Sequence, residues 1–140
     1  ALNPSPFDGR IAEYDMNCVD YLLVNEVEGA AVTGCEEPNA IADQLRVLYP
    51  GMNLVLTLGS RGAIYCGADG TRCESGICKV QAVDTTAAGD TFTGYFAAAM
   101  VEGKTPAEAL KLAACAAAIT VSGEGASVSI PVRSVVEEQI

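Results

Sequence analysis

The stretch Asp84-Thr-Thr-Ala-Ala-Gly-Asp-Thr-Phe92 decides the fold. Ala87, Ala88 and Gly89 carry almost no side chain, and Asp90 follows them at the predicted start of a helix. Backbone N–H groups at such a helix N-terminus can close around an anion, helped by the helix dipole. Asp90 cannot bind an anion itself. Its carboxylate suits a different task, accepting the proton of a hydroxyl that attacks phosphorus. Taken alone, Gly-Asp-Thr reads equally well as an Asp cap on an Ala/Gly turn.

Three further stretches bear on that choice. The apolar run Tyr21 to Val24 reads as a buried strand that ends at Asn25-Glu-Val-Glu28. Acidic residues there also serve as ordinary partners of a helix dipole. Asn53-Leu-Val-Leu-Thr57-Leu-Gly59-Ser-Arg-Gly62 is a second strand, running into a Thr and two glycines. Glycine lets a ligand approach the backbone closely at a strand's carboxyl end, where open α/β sheets bind nucleotides. The competing reading is a Gly turn toward a next strand at Ala63 to Cys66. Finally, Thr120-Val-Ser-Gly123-Glu-Gly125-Ala-Ser-Val-Ser129 is a Gly/Ser-rich loop able to offer carbonyl and hydroxyl oxygens to a hard cation. An ordinary helix-terminating loop would look the same.

In this order the four stretches resemble the PfkB/ribokinase family of carbohydrate kinases, nearest to its ribokinase branch. The resemblance implies an α/β fold, the C-terminal half of a ribokinase-like three-layer sandwich, with a mostly parallel sheet, flanking helices and a C-terminal β-hairpin region. It implies that Asp90 is the catalytic base and that Ala87, Ala88 and Gly89 form the anion-binding turn. Asn25 would reach the nucleotide phosphates, and Glu28 would orient magnesium through its water shell, since magnesium keeps several waters and takes few carboxylates. Thr57, Leu58, Gly59, Ser60, Arg61 and Gly62 would surround the ATP phosphates and ribose, with Gly89, Asp90 and Ala114 in the same nucleotide-contacting set. Asp84, Thr86, Thr120, Gly123, Gly125 and Ser129 would hold a monovalent cation, potassium. The activity implied is ATP-dependent phosphorylation of a sugar primary hydroxyl, ribose to ribose 5-phosphate. Fructose, a deoxy sugar or a nucleoside as acceptor stays open, as does a catalytically silent nucleotide-binding or assembly module.

The resemblance spans all 140 residues but only half of a typical family member, one nucleotide-binding and catalytic portion over residues 1–140. The N-terminal substrate half and the lid are not in it. A fragment and a natural half-length protein are both compatible with this. Either way an open sheet edge is expected beside Leu2-Asn3-Pro4, which favours a homo-oligomer or a covering partner and little sugar kinase activity from the chain alone.

Composition narrows the alternatives. The chain has 8 Lys+Arg against 18 Asp+Glu, a formal charge of -10, and half its residues are hydrophobic. That charge disfavours nucleic acid and anionic membranes as partners, and no apolar run is long enough for a bilayer. Six cysteines, no C-x-x-C pair and no histidine make the usual zinc ligand sets a poor fit. Cys73 and Cys78 are spaced to cross-link a hairpin in an oxidising compartment, whereas the motifs imply a cytoplasmic setting with free thiols.

The expected elements follow from pattern and punctuation. Strands are predicted at Val19 to Asn25, Asn53 to Thr57, Ala63 to Gly67 and Cys78 to Val83, the last two around a turn at Ala68 to Thr71. Asn39 is expected to cap a helix ending before Pro50-Gly51. Asp90 to Glu102 keeps one apolar face at helical spacing. Thr105-Pro-Ala-Glu108 reads as a capping box opening an Ala-rich helix, and Pro131 as the opening of a last short one.

Overall fold

The computed structural model describes residues 1–76 and 80–140. The chain divides into two compact units, residues 1–59 with 63–73 and residues 60–62 with 74–140.

In the first unit, β1 (Tyr21–Asn25) pairs in parallel with β2 (Asn53–Thr57), and β2 pairs antiparallel with β3 (Ala63–Cys66). Leu2 adds a parallel bridge to Leu22 on the free side of β1, through Leu2 N–H to Tyr21 O at 2.8 Å and Leu23 N–H to Leu2 O at 2.9 Å. The order across the four-stranded sheet is β1-β2-β3-β4, with β4 at Arg72–Ser75, where the chain runs from the first unit into the second. The middle residues of β1 and β2 are buried on both faces, the mark of an α/β sheet rather than of an alternating half-exposed one. Between β1 and β2 the chain forms α1 (Glu26–Thr33) and α2 (Pro38–Leu48). Leu22, Val24, Leu54, Leu56 and Ile64 from the sheet pack with Ile41, Ala42 and Leu45 of α2 into one apolar core.

Several boundaries differ from the sequence expectations, each for a local reason. Pro38, not Asn39, opens α2: proline's missing N–H suits the first helical position, and Glu37 is the cap residue. Asn39 instead accepts a hydrogen bond from Arg72. The strand returning from β3 is Arg72–Ser75, not Cys78 to Val83. A tight turn brings the chain back at once, with Gly67 N–H to Thr71 O at 2.7 Å, Thr71 N–H to Asp69 Oδ1 at 2.8 Å and Gly70 at φ +92°. The returning strand alternates exposed Arg72 and Glu74 with half-buried Cys73 and Ser75, so a search for apolar runs passes over it. Residues 80–83 form no strand, and Cys78, the partner Cys73 would need for a cross-link, lies outside the described residues.

The second unit is helical. α3 (Ala88–Val101) packs along α4 (Pro106–Val121), and α5 (Arg133–Glu137) lies against α4. Phe92 and Phe96 stack with ring centroids 6.4 Å apart, and Ala109, Ala113, Cys115 and Ala116 are buried along α4. The small side chains of α4 permit close helix approach. Thr105 and Glu108 form the expected capping box at its start. α5 begins two residues after Pro131, with Val132 as cap.

Gly62 has φ +96°, and a Cβ built there would stand 1.9 Å from the Ser75 carbonyl oxygen, a backbone atom that cannot swing aside. Gly70 has a similar φ of +92° with nothing within 4 Å. Gly62→Ala is therefore expected to lower the unfolding free energy by about 2 kcal/mol or more and Gly70→Ala by about 1 kcal/mol, compared by urea denaturation. Equal losses would remove the packing role of Gly62.

Candidate active site

In the first unit, the parallel register sets Asn25 beside Thr57 at the carboxyl ends of β1 and β2. This is the edge at which open α/β sheets bind nucleotides. Asn25 caps α1: its side chain accepts Glu28 N–H at 2.9 Å, and Glu28 Oε2 accepts Asn25 N–H at 2.9 Å. The other carboxylate oxygen, Oε1, accepts the Ser5 hydroxyl. Glu28 is 5% exposed, and among the described residues it makes no ion pair. A buried carboxylate without a cationic neighbour is unusual, because burial disfavours an uncompensated charge. That donor set fits a divalent cation held in part by water. Among the described residues no group of three or more His, Cys, Asp or Glu side chains is gathered for a metal. Thr57 and Leu58 are half-buried and Gly59 is exposed, beginning a short 3-10 turn that runs Gly59–Arg61.

In the second unit, the signature residues bend into a turn that ends in α3. Ala87, the helix cap, sits at φ +63°, ψ +6°, the single non-glycine residue with positive φ among those described. A left-handed alanine costs about 1–2 kcal/mol, and such conformations gather at functional sites. Ala88 N–H reaches Thr85 O at 3.3 Å and Thr91 N–H reaches Ala87 O at 2.9 Å. Among the described residues the N–H groups of Gly89 and Asp90 between them find no acceptor. Both residues are exposed. Two such amides at the positive end of a 14-residue helix, with the Asp90 carboxylate in the same first turn, are an arrangement that can receive an anion beside a proton acceptor.

Asp84 ties this turn to the loop after α4. Its Oδ1 accepts Thr86 N–H at 2.9 Å and its Oδ2 accepts Gly125 N–H at 3.2 Å. The N–H groups of Val83 and Asp84 both reach Val121 O, at 2.7 and 3.1 Å. Ser129 Oγ donates back into the loop, to Gly125 O and to Ala126 O. A Cβ on Gly123 would come within 3.2 Å of the Ser129 Cβ, so the loop is packed tightly on itself. Asp84, Thr86, Gly123, Gly125 and Ser129 are thus drawn together. Thr120 is not in the loop as the sequence suggested. It belongs to α4, fully buried, and its hydroxyl is engaged by Ala116 O at 3.0 Å and Thr91 Oγ1 at 3.3 Å. Ala114 is likewise buried in α4. Ser60 and Arg61 are exposed, and Gly62 is buried with its packing against Ser75.

Two contributors carry no signal in the sequence: Ser5, which meets Glu28 from 23 residues away, and the left-handed backbone of Ala87.

These features describe an α/β chain in which two parallel strands end level at Asn25 and Thr57 and a helix begins with amides that find no acceptor among the described residues. A family model described as pfkB family carbohydrate kinase matches residues 1–133, and the chain belongs to that family. It is similar to the ribokinase of Schizosaccharomyces pombe, 38% identical over 137 residues that cover 93% of this chain and 43% of that protein. It is also similar to the ribokinase of Haemophilus influenzae, 38% identical, covering 94% and 44%. Among solved structures, the ribokinase of Thermotoga maritima superposes with a TM-score of 0.83 at 38% identity, covering 98% of this chain and 47% of that one. The Arabidopsis thaliana ribokinase complexed with ribose and ATP gives 0.82 at 36% identity, covering 89% and 41%. The fold is ribokinase-like, and the chain spans less than half the length of these curated relatives. No described helix is long and apolar enough to cross a membrane.

Hydrogen bonds from Thr86, its side chain first, and from Gly125 hold the Asp84 carboxyl below the usual aspartate range. A carboxyl lowered in this way contributes stability above the ordinary aspartate range and loses it as pH falls through the folded value. The Gly125 amide signal in an NMR titration is therefore expected to move on the acid side of that range, and to stay fixed in Asp84→Asn. A midpoint at or above the ordinary aspartate value would refute the clasp.

Proposed function

We propose that this chain supplies the ATP site and the catalytic base of an ATP-dependent sugar kinase of the ribokinase type, converting ribose to ribose 5-phosphate. The observation that carries the reading is the first turn of α3, where among the described residues the Gly89 and Asp90 amides find no acceptor, beside the Asp90 carboxylate. Asp90 takes the proton of the primary hydroxyl while that oxygen attacks the γ-phosphorus. The bond from phosphorus to the β–γ bridging oxygen breaks, and ADP carries that oxygen away. The Ala88, Gly89 and Asp90 backbone stabilises charge on the phosphoryl oxygens during transfer, the electrostatic task that dominates this chemistry.

The first unit contributes Asn25, Thr57, Leu58 and Gly59 toward the nucleotide. Ser60, Arg61, Gly62 and Ala114 complete the proposed nucleotide set. Glu28 would hold magnesium through water, and the ion would neutralise triphosphate charge. Asp84, Thr86, Gly123, Gly125 and Ser129 would hold potassium, with Thr120 contributing through its backbone, since its hydroxyl is engaged within the helices. The identity of the relatives supports ribose as acceptor: the Arabidopsis protein is described with ribose and ATP bound.

In a protein that joins this chain to an N-terminal half of the family, Asp90→Asn is expected to keep ATP affinity within a few fold and to lower ribose-dependent ADP release by ~10²-fold or more, the usual effect of removing a general base. Turnover above about a tenth of wild type would reject the base. ATP binding by calorimetry without ribose-dependent ADP release in the wild type would favour a binding module instead.

The cation reading has its own test. At fixed ionic strength, ADP release should be faster in potassium than in sodium or tetramethylammonium, and Asp84→Ala should lower the potassium rate. Equal rates in all three salts would exclude the cation site.

A further inference from the structure

Glu28 is a buried carboxylate of the first unit, and its two oxygens are held differently. Oε2 accepts the Asn25 N–H at 2.9 Å, a bond internal to the capping box of α1. That single bond leaves the plane of the carboxylate undetermined, because the terminal torsion of a glutamate is broad rather than staggered. The second oxygen is held by the hydroxyl of Ser5. Ser5 is itself placed by its surroundings: its N–H donates to Asn3 Oδ1 at 3.1 Å, and Leu2, just before, is bridged to β1. With one donor on each oxygen, the carboxylate plane is set, and about two of its four lone-pair sites remain for another partner.

We propose that Ser5 is a positioning residue for Glu28, setting the plane of its carboxylate for the nucleotide-bound divalent cation. The inference rests on the assignment of Glu28 to that cation. Outer partners of a metal-binding carboxylate typically change metal affinity 10–100-fold when removed. Ser5 is an exposed residue and carries no share of the apolar core, so its replacement is expected to leave the core packing in place.

The test uses the ratio of the protein's affinities for a non-hydrolysable ATP analogue with and without Mn²⁺, measured by calorimetry. Glu28→Gln is expected to reduce this ratio about 10-fold or more, Ser5→Ala to reduce it about 10-fold, and Ser5→Thr, which keeps the hydroxyl, to retain it. In the Glu28→Gln background Ser5→Ala should produce no further change. A role limited to bracing α1 would lower the denaturation midpoint of Ser5→Ala and leave the ratio where it was, which overturns the proposal. A reduced ratio that persists at full size in the Glu28→Gln background also overturns it. If Glu28→Gln leaves the ratio unmoved, the assignment of Glu28 to the cation fails first, and the positioning role falls with it.

Discussion

Five consecutive residue pairs hold β1 against β2 in parallel, from Tyr21 with Asn53 to Asn25 with Thr57. The first unit depends on that register. Side-chain direction alternates along a strand, so a slip of β1 by one residue would turn Leu22 and Val24 away from the core they share with Leu54, Leu56 and α2. The same register decides where the strands end. Asn25 and Thr57 come level, and the chain leaves β1 straight into α1, so the residue that finishes the strand also caps the helix. Glu28, in the first turn of that helix, is buried, with its carboxylate accepting from the Asn25 N–H and the Ser5 hydroxyl.

The second unit meets a comparable demand by different means. A helix start always leaves amides that no backbone carbonyl has claimed. What makes this start unusual is Ala87. A left-handed residue just before α3 sets the approach of the chain to its first turn, at an energetic cost the surrounding contacts must offset. The offsetting contacts are visible: Asp84 bonded to Thr86 and Gly125, with Val83 and Asp84 both bonded to the carbonyl of Val121 at the end of α4. The loop after α4 thus acts as a brace for the turn before α3. This gives the glycines of that loop a structural reason: Gly125 sits at φ +87°, and Gly123 lies close to Ser129.

Membership of the pfkB family places these local arrangements in a common plan. The chain spans under half of each ribokinase relative described above, yet it aligns over nearly its whole length with them. The strand edge, the buried Glu28 and the turn before α3 are therefore contained in one continuous stretch of chain.

Much of this was legible in the residues themselves. The helix start within Asp84 to Phe92, the strand Asn53 to Thr57 and the capping box at Thr105 are local patterns, each readable from residues no more than a few positions apart. Local sterics and hydrogen bonding determine such features wherever the rest of the chain lies. The returning strand Arg72–Ser75 was not legible, because its polar alternation has meaning only against a neighbour already in place. Nor was the burial of Thr120 inside α4, which depends on Thr91 from another helix. Ser5 is the clearest case. A serine between two prolines has no inherent link to a glutamate 23 residues later, and only the pairing of Leu2 with β1 brings its hydroxyl to Glu28. The sequence by itself determined which chemical groups are present and the turns and caps that carry them. The tertiary structure decided which of those groups meet, because contacts between distant residues exist only once strands and helices have packed.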